Sequence, residues 1–164
     1  MAVTELKPNE IILGERNYEA ALNLVIARAE YELLIFDQDF VRGNYASLQR
    51  HELLRDFLSR NSPSKLTIIL QNTEHFVQNC PRLFELLRVY GHKMTVFATN
   101  DAAKIAMDCF VIADKRDYLR RFHIDQARFK FAFDDLEECA GLQTRFDELL
   151  DETTEAISVT KLGL

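Results

Sequence analysis

The order of apolar segments predicts an α/β domain: a mixed, largely parallel central sheet with helices on both faces and an antiparallel hairpin towards the C-terminal part. Three observations carry this. Short apolar runs at 33–36, 66–70 and 94–98 alternate with stretches of helical periodicity, the pattern of right-handed crossovers between parallel strands. After Met107 the rhythm changes: three extended segments near 108–113, 117–123 and 127–133 are joined by connections too short for helices, so the middle one must be a hairpin. In the last of these, Phe129, Phe131 and Phe133 project to one face while Arg128 and Lys130 project to the other, so one face is core and the other meets solvent or ligand.

Each element has its own justification. Residues 1–10 are polar and contain Pro8, which predicts a loosely held arm leading into a short strand at 11–13. From Asn17 the positions Tyr18, Ala21, Leu22, Val25, Ile26 and Ala29 fall on one helical stripe, with Glu19, Asn23, Arg28 and Glu30 opposite. The run 33–36 follows almost directly and suits a strand covered on both faces. Gly43-Asn44 opens a second helix over 45–60, with Leu54, Phe57 and Leu58 inside and His51 beside that stripe. Ser62-Pro63-Ser64 breaks it before the β-branched strand 66–70. Thr73 can cap a short turn through Val77, and the next helix has Pro81 at its first position and Gly91 at its exit. Its inner face is Leu83, Phe84, Leu87 and Tyr90, and a loop at 99–104 follows the strand 94–98. Asp135 three residues before Glu138 makes a capping box for a last helix with inner positions Leu136, Cys139, Leu142, Phe146, Leu149 and Leu150. The tail from Thr153 is an edge strand or lacks regular structure.

Length and composition suit one domain over 1–164, with 154–164 as a tail; 164 residues that are 48% hydrophobic, with twelve Phe, supply a single core. A net charge of -6 argues against nucleic-acid binding by the whole surface, though not against a local basic patch. Charge is also unevenly placed. Six basic residues between Lys115 and Lys130 face two acids, whereas nine acids between Asp134 and Glu155 face Arg145 alone. Cys80, Cys109 and Cys139 form no CxxC pair, which predicts buried free thiols in a reducing compartment. With no signal pattern and no run of bilayer-spanning length, the expectation is a cytoplasmic protein without membrane attachment.

Motifs that suggest chemistry are sparse. Asp37 and Asp39 at a strand end could hold a metal, but ordinary turn and capping chemistry accounts for such residues as well. The string HELLRDFL around His51 lacks the Thr-Pro step of a histidine-kinase phospho-accepting box, so a partly buried structural histidine is expected. No cofactor is called for.

From about residue 17 to 152 the order of elements resembles one half of a phospholipase D-like domain. The likeness is carried by IFD at 35–37, KLTIIL at 65–70, the helix ending in Gly91, KMTVFAT at 93–99, a strand ending in Asp114 and the late RFDELL at 145–150. That family's motif is His-x-Lys followed after four residues by Asp. On a strand its first two residues point the same way, so the histidine attacks phosphorus while the lysine holds the phosphoryl oxygens. Aligned on Asp114, the nucleophile's position is taken by Met107 and the lysine's by Cys109, and Arg120-Arg121-Phe122-His123 stands where a Gly-Ser-x-Asn segment is expected. Neither replacement can do the chemistry, and a Met-x-Cys pair on a strand also reads simply as core packing. The resemblance therefore implies a non-catalytic member acting as a binding or structural module.

Single-motif members of the family work as two-fold dimers, which implies a homodimer with the former catalytic strands near the axis. Arg116, Arg120, Arg121, Arg128 and Lys130, with Lys115, would then line a shared groove for phosphate-bearing ligands, nucleic acid among them; compensation by the acidic segment that follows is the competing account. The alternative function is a phosphodiesterase or other hydrolase with re-sited histidines, in which His92 and His123 would meet Asp114. A third is a partner subunit acting only through protein contacts.

Overall fold

The computed structural model describes residues 5–60, 63–100 and 105–158. Among them a sheet of eight strands runs in the order β1-β7-β6-β5-β2-β3-β4-β8. The strands are β1 (Ile12–Leu13), β2 (Glu32–Asp37), β3 (Lys65–Leu70), β4 (Met94–Thr99), β5 (Cys109–Ala113), β6 (Asp117–His123), β7 (Gln126–Ala132) and β8 (Thr153–Ala156). The helices are α1 (Glu15–Arg28), α2 (Leu48–Arg60), α3 (Glu74–Asn79), α4 (Pro81–Val89) and α5 (Leu136–Asp151).

The expectation of a largely parallel sheet is corrected. Only β2–β3 and β3–β4 pair in parallel, while β1–β7, β7–β6, β6–β5, β5–β2 and β4–β8 are antiparallel. The reason is where the chain stands after β4. The link between Thr99 and Cys109 is shorter than the roughly dozen residues that a parallel crossover takes, so β5 starts at the end where β4 finishes and must run the opposite way beside β2. The hairpin connections then make β6 and β7 antiparallel in turn.

Two apolar layers clothe the sheet. On one face Leu33, Ile35, Val111, Leu119, Phe129 and Phe131 pack against α1, α2 and α4 through Leu22, Val25, Leu54, Phe57 and Leu83. On the other, Leu34, Phe36, Phe110, Ile112 and Tyr118 pack against Cys139, Leu142 and Phe146 of α5. Asp135 caps α5 as its spacing predicts, its side chain accepting the Glu138 N–H at 3.1 Å. Leu136 departs from the expected inner stripe: in the first turn, beyond the sheet's cover, it is 67% exposed. The edge-strand alternative for the tail is realised at β8, and a short strand does lie at β1. Part of the expected loop after β4, at 101–104, and the ends of both arms, at 1–4 and 159–164, lie outside the described residues.

The β5–β6 turn is unusual in putting two non-glycine residues, Asp114 (φ 55°) and Lys115 (φ 58°), in the left-handed region. Asp114 compensates by clamping the turn to the start of β2. Its carboxylate accepts the backbone N–H groups of Glu30, Tyr31 and Glu32 at 2.9, 2.8 and 2.9 Å. Gly43 has a φ of 85°, and a Cβ there would stand 2.7 Å from Leu22 Cδ1, so only glycine lets this loop close over α1.

Candidate functional site

The carboxyl ends of β2, β3 and β4 and the start of β5 share one end of the sheet, where open α/β sheets usually bind ligands. Met107 sits there, 42% exposed, with its carbonyl accepting the Ile124 N–H at 2.8 Å. Gln71 Nε2 donates to the Ala106 carbonyl at 2.7 Å, so the segment entering β5 is pinned by an amide from β3's end. Beside it a shallow cavity of about 250 Å³ is lined by Gln38, Asp39, Gln71 and Asn72. Asp37 and Asp39 make turn contacts: Asp37 Oδ1 accepts the Gln38 N–H at 2.6 Å, and Asp39 Oδ1 accepts the Val41 N–H at 3.0 Å. Among the described residues no cluster of metal-ligating side chains forms.

Cys109 points inward. Its Sγ lies 3.2 Å from the Tyr18 hydroxyl, and burial pushes the thiol well above its ordinary value. Around it lies a buried polar cluster that the sequence did not announce: Asp37, Tyr18, Tyr45 and Arg50, all 1% exposed or less. Burial raises the Asp37 carboxyl to about 7, against the lowering effect of the backbone N–H groups of Gln38 and Asp39. The Arg50 guanidinium donates from Nε to Asn23 Oδ1 at 2.9 Å and stacks 4.6 Å over the Tyr45 ring, while Nη1 and Nη2 are buried with no acceptor in reach. Sequence spacing held one clue: Arg50 stands four positions before Leu54, on the apolar stripe of α2.

The histidines named with Asp114 are spread apart. Asp114 lies at the far end of β5 from Cys109, whereas His123 lies at the near end, its Nδ1 accepting the Asp125 N–H at 3.1 Å. A separation by the length of β5 is roughly 15 Å. His92 precedes β4 at Asp114's end, but β5, β2, β3 and β4 are consecutive, which leaves about 14 Å between the outer two. The structure thus places His123 beside Met107 and neither histidine beside Asp114. His51 is half-buried on α2.

The basic residues also divide. Arg116 pairs with Asp134 at 2.8 Å, and it lines a polar cavity of about 320 Å³ with Arg28, Arg60, Asp114 and Asp117. Arg121 points to the α1 side and is fully buried, holding Glu15 through Nη1 at 2.7 Å and Nη2 at 2.9 Å and donating to the Ile124 carbonyl at 2.8 Å. Arg120, Arg128 and Lys130 lie on the α5 side of β6 and β7, where Arg120 and Lys130 are cross-strand partners. Arg120 shares Asp108 with Arg145, Arg120 Nε lying 3.0 Å and Arg145 Nη2 2.9 Å from its carboxylate oxygens. Burial alone would raise the Asp108 carboxyl, and the hydrogen bonds from Arg145 and Arg120 outweigh it and hold the group below its ordinary value.

This topology and its helix layers are similar to solved structures of the phospholipase D family. Nuc from Salmonella typhimurium, a phospholipase D family member, superposes with a TM-score of 0.63 at 8% identity, over 88% of this chain and 96% of that one. NucT from Helicobacter pylori gives 0.58 at 16% identity, over 88% and 96%. TrmBL2, an archaeal chromatin protein described as showing a novel mode of DNA binding, gives 0.65 at 14% identity, over 92% of this chain; the chain spans 55% of TrmBL2's length. These likenesses define a phospholipase D-like fold. No curated protein matches the sequence. The chain belongs to the family described as a domain of unknown function, DUF7931, whose model matches residues 14–162. Among the described residues no helix is long and apolar enough to cross a membrane.

Proposed function

We propose that this chain is a non-catalytic phospholipase D-like domain, a binding or structural module for phosphate-bearing ligands that works as a homodimer. The observation that carries the reading is the start of β5. Met107 occupies the position aligned with the nucleophile and has no group that could form a phosphoryl intermediate. Cys109, aligned with the lysine, is 1% exposed and turned against Tyr18, so it offers an oxyanion neither charge nor access. Losing such a nucleophile in other covalent catalysts removes about 10⁶-fold of rate.

The DNA-binding description of TrmBL2 supports nucleic acid as the ligand class. Dimerisation draws support from exposed apolar side chains leading into β5: Ile105 is 86% exposed and Met107 42%. The buried free thiols Cys80, Cys109 and Cys139 support a reducing, cytoplasmic setting.

The test is hydrolysis of bis-p-nitrophenyl phosphate alongside sedimentation analysis. The expected result is a dimer with no turnover above buffer. Turnover abolished by His123→Ala would overturn the reading in favour of a hydrolase with a re-sited histidine, the alternative that His123's place beside Met107 favours.

A further inference from the structure

The flank formed by β7, β1 and the Phe122 end of β6 is covered on one face only. α1 buries Ile12, Phe129 and Phe131 on its own side, whereas α5 packs over β4, β5 and β6 and leaves the outer flank open. A solvated sheet face is ordinarily polar. This one alternates cations with apolar side chains: Arg120 and Phe122 on β6, Arg128 and Lys130 on β7, and Ile11 and Leu13, 53% and 66% exposed, at the edge. The guanidinium carbons of Arg120 and Arg128 lie 5.4 and 5.7 Å from the Phe122 ring centroid, so an aromatic face stands between two cations. A concavity of about 360 Å³ opens there, lined by Tyr118, Arg120, Phe122 and Lys130, with Asn9 and Ile11 on one side and Glu138 on the other.

Pairing divides these cations. Arg120 holds Asp108, as Arg145 does, and Arg28, Arg42, Arg116 and Arg121 likewise each hold a carboxylate. Among the described residues Arg128 and Lys130 hold none, so their charge is free for a ligand. They are two positions apart on one strand, about 6.8 Å, which is commensurate with the phosphate repeat of an extended polynucleotide.

We infer that this flank is a binding face for single-stranded nucleic acid, with a base stacked on Phe122 in the concavity and the flanking phosphates on Arg128 and Lys130. The inference rests on the module reading above and gives it a ligand and a location distinct from the β5 edge. A single strand is favoured over a duplex because stacking on Phe122 needs an unpaired base face, which a duplex keeps inside its own stack. The footprint is short. Glu137 and Glu138 open α5 at one end of the face and repel a phosphate chain continuing that way.

The experiment is fluorescence anisotropy of a labelled oligothymidylate and of a matched duplex, titrated with the full chain over a NaCl series. The single strand binds more tightly than the duplex, and with two to three phosphates neutralised log K falls against log[salt] with a slope of about -1.5 to -2. Phe122→Ala weakens binding about 5- to 100-fold with the slope kept, as for one lost base stack. Phe122→Leu, which keeps the apolar bulk and the fold, weakens it similarly. Arg128→Gln with Lys130→Gln flattens the slope by about 1.4. Equal affinity for the duplex, no binding of the single strand, or binding that these variants leave untouched would each overturn the inference. None of those results generates phosphodiesterase turnover, so the module reading is judged separately.

Discussion

Asp37→Asn tests the buried cluster directly. The native carboxyl keeps its proton up to about pH 7, whereas the unfolded chain releases it near 3.8. Between those values the folded state binds more protons than the unfolded one, so stability falls as pH rises; above about pH 7 both states are ionised and the loss levels off. At about 1.36 kcal/mol per pH unit, a rise from 3.8 to about 7 amounts to roughly 4 kcal/mol. An amide carries no such penalty, and its oxygen can still accept the Gln38 and Asp39 N–H groups that Asp37 Oδ1 accepts at 2.6 and 3.4 Å. Urea unfolding of both proteins from about pH 5 to pH 8.5 isolates the effect, since other titrating groups cancel in the difference. The variant should exceed the parent by about 1.5 kcal/mol at the acid end and by about 4 kcal/mol at the alkaline end. If Asp37→Asn is instead the less stable protein at about pH 8, the carboxylate is held ionised by Arg50 and the reasoning is refuted.

Asp114→Ala removes the acceptor of three backbone N–H groups and should cost about 1–3 kcal/mol in urea unfolding, with Asp114→Asn recovering part of it. Asp108→Asn weakens charged hydrogen bonds from Arg120 and Arg145 and should cost about 1–3 kcal/mol at neutral pH. Because the native Asp108 carboxyl sits below its ordinary value, that difference is present above about pH 4 and fades as pH falls through the native value. Gly43→Ala combines a positive φ with a 2.7 Å contact and should cost more than about 1 kcal/mol, visible as a lowered melting temperature. Met107→His with Cys109→Lys should create no hydrolase and should lower the melting temperature, because the introduced ammonium would be buried against Tyr18.

Much of the fold was legible because each element carries its own signal. Pro81 and the Asp135–Glu138 box mark helix starts, and the period of two in β7 puts Phe129 and Phe131 in the core. Strand direction was not legible. Cys109–Ala113 is buried throughout, and a run buried on both faces reads the same whether its neighbour is parallel or antiparallel. The basic residues show a rule applied too loosely: Arg120 and Arg121 are adjacent on a strand and must face opposite ways, so one groove could not hold both. Asp37 was read as a turn residue or metal ligand, and Arg50 escaped notice, because their burial together depends on the packing of α1 and α2 over the end of β2, which lies beyond local pattern.

The sheet is closed off at its two margins by very little chain. β1 contributes two residues beside β7, and β8 contributes four beside β4 with an irregular register. Short, kinked borders offer a passing strand little to pair with and so discourage lateral polymerisation. Removing 153–158 would leave the apolar ladder of β4 unguarded, and self-association into insoluble material would follow even though every helix and both apolar layers stayed in place.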